Sequence, residues 1–380
     1  MIVALLGFGT VGRGVYDIIN PRNDITIKYI LDLVSHDDVD ATCVTDYNII
    51  LNDNEVDTVI EVIGGINPSY DYITKAIKSG KNVVSTNKLV ISTYYDELNA
   101  LASKNGVSFR YTAAVGGGIP WLINLERAAR VSELTAVYGI MNGTCNYILD
   151  SMHSGSSSFA DALKMAQEQG FAERDPSADI DGIDTLCKVI ISSNIAFATS
   201  INSGDIDVCG IRDIDQCDIA ACESNDSVCR FMAYGYKTDN KLSVFVEPTF
   251  VKNNSLEASV LKNLNLISFE GKYVERESFF GFGAGRYPTA YTVVEDCLDI
   301  INNCPKIYSE STNNFEIDNE LISHSYYVRT DYNNEWFDSL SKKTCGNGFI
   351  IEPVSVAKMH SFCKMAKENN FNCFIAGISE

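Results

Sequence analysis

The first fourteen residues, MIVALLGFGTVGRG, limit the fold more than any other stretch of the chain. Ile2 to Leu6 is an unbroken apolar run, the pattern of a strand buried on both faces of a parallel sheet. Gly7, Gly9 and Gly12 then give G-x-G-x-x-G, and Val11, Val15, Ile18 and Ile19 recur at helical spacing. A second apolar strand follows from Ile25 to Leu31. Strand, glycine turn and helix in this order make a dinucleotide cradle. The first glycine permits the tight turn, the second lets backbone approach a pyrophosphate, and the third lets helix and strand pack closely, while the helix N-terminus supplies donors. Gly7, Phe8, Gly9, Thr10, Val11 and Gly12 are the expected contacts; a glycine turn without a ligand is the weaker alternative in this setting.

Asp32 ends the second strand, where an acid binds the adenosine ribose hydroxyls; an ordinary loop carboxylate is the alternative. No lysine or arginine occurs from Tyr29 through Thr74. A 2′-phosphate would lack its usual cationic partner there, which favours NAD over NADP. The alternation continues with VDTVIEVIGG as a strand and glycine turn, SYDYITKAIKSG as a helix closed by Gly80, and KNVVST as a strand. Repeated βα units imply a doubly wound sheet. Asn87 and Lys88 follow the last of these strands at its carboxyl end, where such sheets hold their ligands, with Thr86 just before them as a further expected cofactor contact; an ordinary surface lysine is the alternative for Lys88.

The chain has 380 residues, enough for two or three domains, with 46% hydrophobic and 21% charged residues and only eight prolines. A formal net charge of -20 disfavours nucleic acid and anionic membrane surfaces as partners. No apolar run approaches the ~20 residues that span a bilayer, and the N-terminus lacks the features of a signal peptide, so a cytoplasmic protein is expected. The twelve cysteines are scattered and form no CxxC, which suits reduced thiols better than disulfides or a zinc site.

Val115 to Pro120 is a glycine-rich link at which the pattern changes. VYGIMNGTCNYILDSM then reads as strand, small-residue turn and helix, and FFGFGAGRYPTAYTVVEDCLDII as a glycine turn before a long helix. Between them lies GFAERDPSADIDGIDTLCK, residues 170 to 188. Asp175-Pro176 breaks the preceding helix, and Asp179 or Asp181 is placed to cap the next. On that helix Asp184 and Lys188 stand four residues apart on one face, with Glu173 in the loop before it. Spacing alone would more often give an exposed ion pair of under ~1 kcal/mol.

The stretches GFGTVG, EVIGG, GKNVVSTNK, VGGGIP, GIMNGTCNYIL, AQEQGFAERDPSADIDGIDTLCK and GAGRYPTA, in this order over roughly residues 1 to 303, resemble homoserine dehydrogenase. The resemblance implies a Rossmann-type doubly wound α/β domain, an α+β substrate and dimerization domain, and a homodimer or larger homo-oligomer. No aspartate kinase region precedes the matching stretches, as in the monofunctional form. The expected division is 1–114 for cofactor, 115–285 for substrate, catalysis and dimerization, 286–303 as a helix returning to the cofactor domain, 304–322 as a linker, and 323–380 as a small ACT-like α+β module. The expected reaction is reversible NAD(P)-dependent reduction of the small-molecule substrate aspartate 4-semialdehyde to homoserine, on the route to threonine, isoleucine and methionine.

Hydride transfer to an aldehyde needs a group that gives a proton to the forming alkoxide. By resemblance, Lys188 is that donor and Asp184 hydrogen-bonds the reacting end. Glu173 holds the substrate ammonium, Asp179 lies near the substrate, and Gly143 and Thr144 line its pocket. Lys88 lies near nicotinamide and substrate, while Gly283 and Gly285 approach the cofactor. The family also carries a sodium site, for which the carbonyls of Val115, Gly117 and Ile119 correspond. Here Thr112 stands where the family usually has a glutamate ligand, and Phe171 where it often has tyrosine.

Two other classes of function are compatible with parts of the sequence. A thiol-dependent acylating aldehyde dehydrogenase would use Cys145 as nucleophile. A nonenzymatic dinucleotide sensor would need the glycine loop but not Glu173, Asp184 and Lys188 together. In the tail, SYYVRT, NEWFDSLSKK, GFIIEPVSV, AKMHSFCKMAKENN and CFIAGI read as strand, helix, strand, helix, strand.

Overall fold

Strand β1 (Ile2–Leu6) runs into the glycine turn and then into helix Thr10–Ile19, as the apolar spacing requires. In the computed structural model, which describes residues 1–155, 157–305 and 311–379, the chain forms two compact units. The first comprises Met1–Val131, Ile191–Ile201 and Gly281–Asn314, and the second Ser132–Ile190, Asn202–Phe280 and Phe315–Glu380.

The first unit holds a parallel sheet of β1, β2 (Thr26–Leu31), β3 (Thr42–Val44), β4 (Thr58–Glu61), β5 (Asn82–Ser85) and β6 (Phe109–Arg110). Its order is β3-β2-β1-β4-β5-β6, the doubly wound arrangement whose direction reverses between β1 and β4. Val3 and Leu5 of β1, Ile30, Ile60 and Val84 share one core with Val15 and Ile19 of the first helix. Ala290, Val293, Val294 and Cys297 of helix Arg286–Ile301 enter the same core. Val293 and Val294 are each worth roughly 1.5–3 kcal/mol when fully buried, which helps hold this late helix to the early sheet.

The second unit is built on one mixed sheet of β7 (Leu134–Ile140), β8 (Asp207–Val208), β9 (Ser227–Thr238), β10 (Lys241–Lys252), β11 (Leu264–Gly271), β12 (Glu275–Phe282), β13 (Glu316–Ile317), β14 (Ser323–Thr330), β15 (Lys342–Cys345), β16 (Gly348–Ser355) and β17 (Cys373–Ile378). The path is β12-β11-β7-β9-β10-β17-β14-β16-β15, and the short β8 and β13 also pair with β10. The hairpin β9–β10 closes on Asp239-Asn240, with Asp239 at φ 49°, a conformation that Asp and Asn tolerate.

The tail runs β14, helix Glu335–Asp338, β15, β16, helix Val356–Glu368, β17, a βαββαβ order. Its first strand is tied to the rest of the sheet by β17, which pairs in parallel with β10. The stretch NEWFDSLSKK, read from sequence as one helix, forms only a single turn, Glu335–Asp338. Lys342 and Lys343 begin a strand, because Gly346 at φ 55° turns the chain into the β15–β16 hairpin. Of the expected linker 304–322, residues 306–310 lie outside the described residues. Beyond them Glu316–Ile317 pairs with Lys241–Leu242.

Candidate active site

In the first unit, the glycine turn shows why no side chain fits at residue 12: a Cβ there would stand 2.3 Å from the Gly7 carbonyl oxygen. Above Gly9, a Cβ would meet nothing within 4 Å, so the backbone at the start of helix Thr10–Ile19 is open to a pyrophosphate. Asp32 closes the other side of the turn. Its carboxylate accepts from the Phe8 N–H at 2.9 Å and the Val34 N–H at 3.2 Å, with His36 Nε2 3.5 Å away. Burial alone would raise the Asp32 carboxyl, but these donors hold it below the ordinary carboxylate range.

The stretch free of lysine and arginine is nevertheless visited by a cation. Arg13, from the first helix, stacks 4.7 Å over the Phe8 ring and pairs with Asp38 at 2.8 Å. Its position directly after Gly12 was the signal that sequence reading passed over.

At the carboxyl ends of β4 and β5 a buried network sets the chain before Lys88. Glu61, fully buried, accepts from the Ile63 and Gly64 N–H groups and from the Ser85 hydroxyl at 2.6 Å. Asn87 donates to the Gly65 carbonyl at 2.7 Å and caps helix Lys88–Thr93 by accepting from Val90 N–H. Lys88 is thus the first residue of that helix and is half-buried, with Thr86 one step before the cap. Glu61 stands in the matching stretch EVIGG but carried no role there.

Helix Arg286–Ile301 begins at Gly285, whose φ of 124° turns the chain after Gly283. Asp296 on this helix is fully buried and accepts the Thr112 N–H at 3.0 Å and the Thr112 hydroxyl at 2.7 Å. Burial pushes its carboxyl up to about 7 against the pull of those two bonds. Among the three carbonyls in question, that of Gly117 accepts the Thr292 hydroxyl at 2.8 Å and that of Ile119 accepts the Trp121 N–H at 2.7 Å. Val115 is fully buried.

In the second unit, Asp184 and Lys188 lie on helix Ile183–Phe197. They are not the exposed pair that spacing alone would favour: their side chains are only 10% and 9% accessible, and Lys188 Nζ stands 2.7 Å from Asp184 Oδ2. The ammonium also donates to the Met141 carbonyl at 2.6 Å. Asn142, which sequence reading left out although it opens the NGTC turn, joins this group. Its Nδ2 donates to Asp184 Oδ2 and Asp179 Oδ1, each at 2.7 Å, and its Oδ1 accepts the Cys145 N–H at 2.8 Å. The strand β7 delivers Met141 and Asn142 from its carboxyl end, so one strand end and one helix start define the cluster.

Of the remaining expected residues, Thr144 is buried and donates to the Phe171 carbonyl at 2.7 Å. Gly143 lies against Asn263, whose carbonyl would stand 2.5 Å from a Cβ. Glu173 is exposed on the loop before helix Ser177–Ile180; its backbone carbonyl accepts from Gln167. The structure thus brings Asp179, Asp184 and Lys188 together and leaves the Glu173 carboxylate at the surface. Asp181, weighed as a helix cap, gives both carboxylate oxygens to Arg212 at 2.7 and 2.6 Å. Asp175 accepts from Ser177 N–H just after the proline, but the helix expected to break at Asp175-Pro176 has already ended: helix Phe159–Glu168 stops before Gly170, whose φ of 76° turns the chain out of it, and Pro176 instead precedes helix Ser177–Ile180.

A doubly wound sheet with an open glycine cradle, in a chain that also builds a dry lysine–carboxylate cluster, defines a nicotinamide-nucleotide-dependent oxidoreductase. Residues 7–112 match the family model for the homoserine dehydrogenase NAD binding domain, and residues 120–298 that for homoserine dehydrogenase. The Bacillus subtilis homoserine dehydrogenase is 35% identical over 315 residues, 79% of this chain and 73% of that protein, and the Synechocystis enzyme is 32% identical over 86% of this chain and 78% of its own. Among solved structures, the homoserine dehydrogenase of Thiobacillus denitrificans aligns with a TM-score of 0.86 at 26% identity, covering 100% of this chain and 98% of that one. The S. aureus homoserine dehydrogenase aligns at 0.76 and 27% identity over the same shares. The chain belongs to the homoserine dehydrogenase family.

Its reaction is therefore the reversible, nicotinamide-nucleotide-dependent reduction of aspartate 4-semialdehyde to homoserine, a step of amino-acid biosynthesis. The Cys145 alternative also fails on its own geometry. The thiol is fully buried, its Sγ–H donates to the Asp179 carbonyl at 3.3 Å, and burial, then the charges of Asp179 and Asp184, push its pKa well above the ordinary value. No helix among the described residues is long and apolar enough to cross a membrane.

Proposed function

We propose that Lys188 gives the proton to the alkoxide oxygen when the aldehyde is reduced and takes it back when homoserine is oxidised. The observation that supports this best is the burial of its ammonium between Asp184 and the Met141 carbonyl. A charge held this dry is costly unless it is paired and oriented, and a fixed donor direction is what proton transfer requires. Asp184 orients the ammonium and hydrogen-bonds the reacting end, and Asp179 extends the acidic wall through Asn142. Glu173, exposed on its loop, takes the substrate ammonium; Gly143 and Thr144 line the pocket, and Lys88 serves substrate and nicotinamide. When bound, the nicotinamide nucleotide supplies or accepts the hydride. Gly7, Phe8, Gly9, Thr10, Val11 and Gly12 cradle its pyrophosphate, Asp32 its ribose, and Thr86, Lys88, Gly283 and Gly285 its nicotinamide half.

NAD is the preferred cofactor on this reading, because Asp32 presents a carboxylate at the ribose and Arg13 is committed to Asp38. The hyperthermophilic archaeal homoserine dehydrogenase determined in complex with NADPH, 21% identical, shares the fold. The chain acts in the cytoplasm, in keeping with twelve free cysteines, and pairs as a homodimer through β12, an edge strand on which Phe280 is exposed. Light scattering that found only monomer would remove the dimer. The βαββαβ tail, 323–380, acts as an ACT-like module that answers to threonine; absence of both threonine inhibition and threonine binding would leave it a structural role.

The decisive experiment is homoserine oxidation by wild type and Lys188→Ala with NAD and NADP in turn. Wild type should turn over with NAD at least tenfold more efficiently than with NADP. Lys188→Ala should bind NAD normally and lose at least 100-fold in kcat/KM. A folded Lys188→Ala variant working at the full rate would overturn the assignment of the proton donor.

A further inference from the structure

The loop of Val115 to Ile119 carries the carbonyls that would surround a sodium ion in this family, and the residues here do not suit one. A hard monovalent cation seeks several oxygen ligands with at least one negative charge among them when it is buried. At residue 112 the side chain is a neutral threonine, and its hydroxyl hydrogen points to Asp296 at 2.7 Å. Asp296, the buried carboxylate adjoining the loop, spends one oxygen on that hydroxyl and the other on the Thr112 N–H. The Gly117 carbonyl receives the hydroxyl of Thr292, itself buried, and the Ile119 carbonyl receives the Trp121 N–H. The loop is also pinned by steric contact: a Cβ at Gly117 would lie 2.7 Å from the Gly283 backbone, and Gly118 N–H donates to Phe282.

We propose that Thr112 and Thr292 hold this loop by hydrogen bonds in place of a bound sodium ion, so that the enzyme neither binds nor needs one. Both are positioning residues. They act through the loop that packs on residues 282 and 283, beside the segment assigned to the cofactor, and the inference stands whether or not Lys188 is the proton donor. Turnover of Lys188→Ala tests that assignment, and the salt response of the wild type tests this one.

The experiment compares sodium, potassium and choline chlorides at constant ionic strength, reading thermal melting of the protein as well as kcat and KM for homoserine. For wild type the three salts should give the same melting midpoint and kcat within twofold. The double variant Thr112→Glu/Thr292→Ala restores a carboxylate and frees the Gly117 carbonyl, and should gain a saturable rise in melting midpoint specific to sodium. A saturable, sodium-specific rise in the wild type would overturn the proposal. So would a double variant that folds and stays indifferent to sodium, since the two threonines would then not occupy the cation's role. Should the double variant fail to fold, Thr292→Ser and Thr292→Val decide. Serine keeps the donor and should keep the wild-type KM for NAD, whereas valine should raise it about threefold to tenfold; equal behaviour of the two would overturn the proposal.

Discussion

Replacing Asn142 by aspartate keeps the shape of the side chain and inverts its electrostatics. One oxygen still accepts the Cys145 N–H, but the Nδ2 group that donates at 2.7 Å to both Asp179 and Asp184 becomes a third carboxylate oxygen. Each hydrogen bond to a charged group contributes about 1.5–3 kcal/mol, so the two together set a ceiling near 3–6 kcal/mol. The nearby ammonium of Lys188 offsets part of the new repulsion. We therefore expect the lower end, about 100-fold in kcat/KM for homoserine, equivalent to ~2.7 kcal/mol. Steady-state homoserine oxidation, with circular dichroism melts to confirm folding, reads the effect. A folded Asn142→Asp enzyme within threefold of wild type would refute the view that this amide organises the carboxylates.

Three further outcomes follow from other parts of the molecule. Gly12→Ala places a methyl 2.3 Å from the Gly7 carbonyl, so the turn must shift at a cost of about 1–3 kcal/mol; NAD binding, followed by fluorescence titration, should weaken at least tenfold, and unchanged binding would show the turn does not touch the cofactor. Cys145→Ser should keep activity within about threefold, since a serine hydroxyl can make the same bond to the Asp179 carbonyl; a folded but inactive variant would reinstate a thiol mechanism. Glu247 is fully buried between His324 at 2.8 Å and His360 at 2.7 Å. Burial would raise its carboxyl, but the two histidines hold it down to about 2 from 4.5, so its contribution, on the order of 3 kcal/mol, is complete above pH ~4.5 and vanishes as pH falls toward about 2. The stability gap between wild type and Glu247→Gln in urea should accordingly close over that acid range, and a gap constant with pH would be evidence against this linkage.

What could be read from the sequence and what could not divide along a physical line. β1, the glycine turn and the first helix were legible because their pattern is local: apolar runs and glycines at fixed offsets dictate them without help from the rest of the chain. Asp184 and Lys188 were legible as neighbours for the same reason, four residues being one helical turn. Their burial was not, because it is imposed by Met141 and Asn142, which reach them from the end of β7 across 47 and 42 residues of sequence. The strand Lys342–Cys345 was misread because a hairpin partner overrode local preference, and the two-residue strands β8 and β13 exist only by pairing with β10.

The same division explains the cation loop. Thr112 was visible as a departure from the family, but its meaning depends on Asp296, 184 residues away, and on Thr292, which meets Gly117 across 175. Either threonine alone would leave a loop half adapted, with a carbonyl bare or a carboxylate unmatched. The chain carries both, and each hydroxyl finds a buried acceptor. Loss of a charged ligand in such a loop is therefore best read together with the residue that supplies the replacing hydrogen bond, since a buried polar group left without a partner costs about 1–3 kcal/mol.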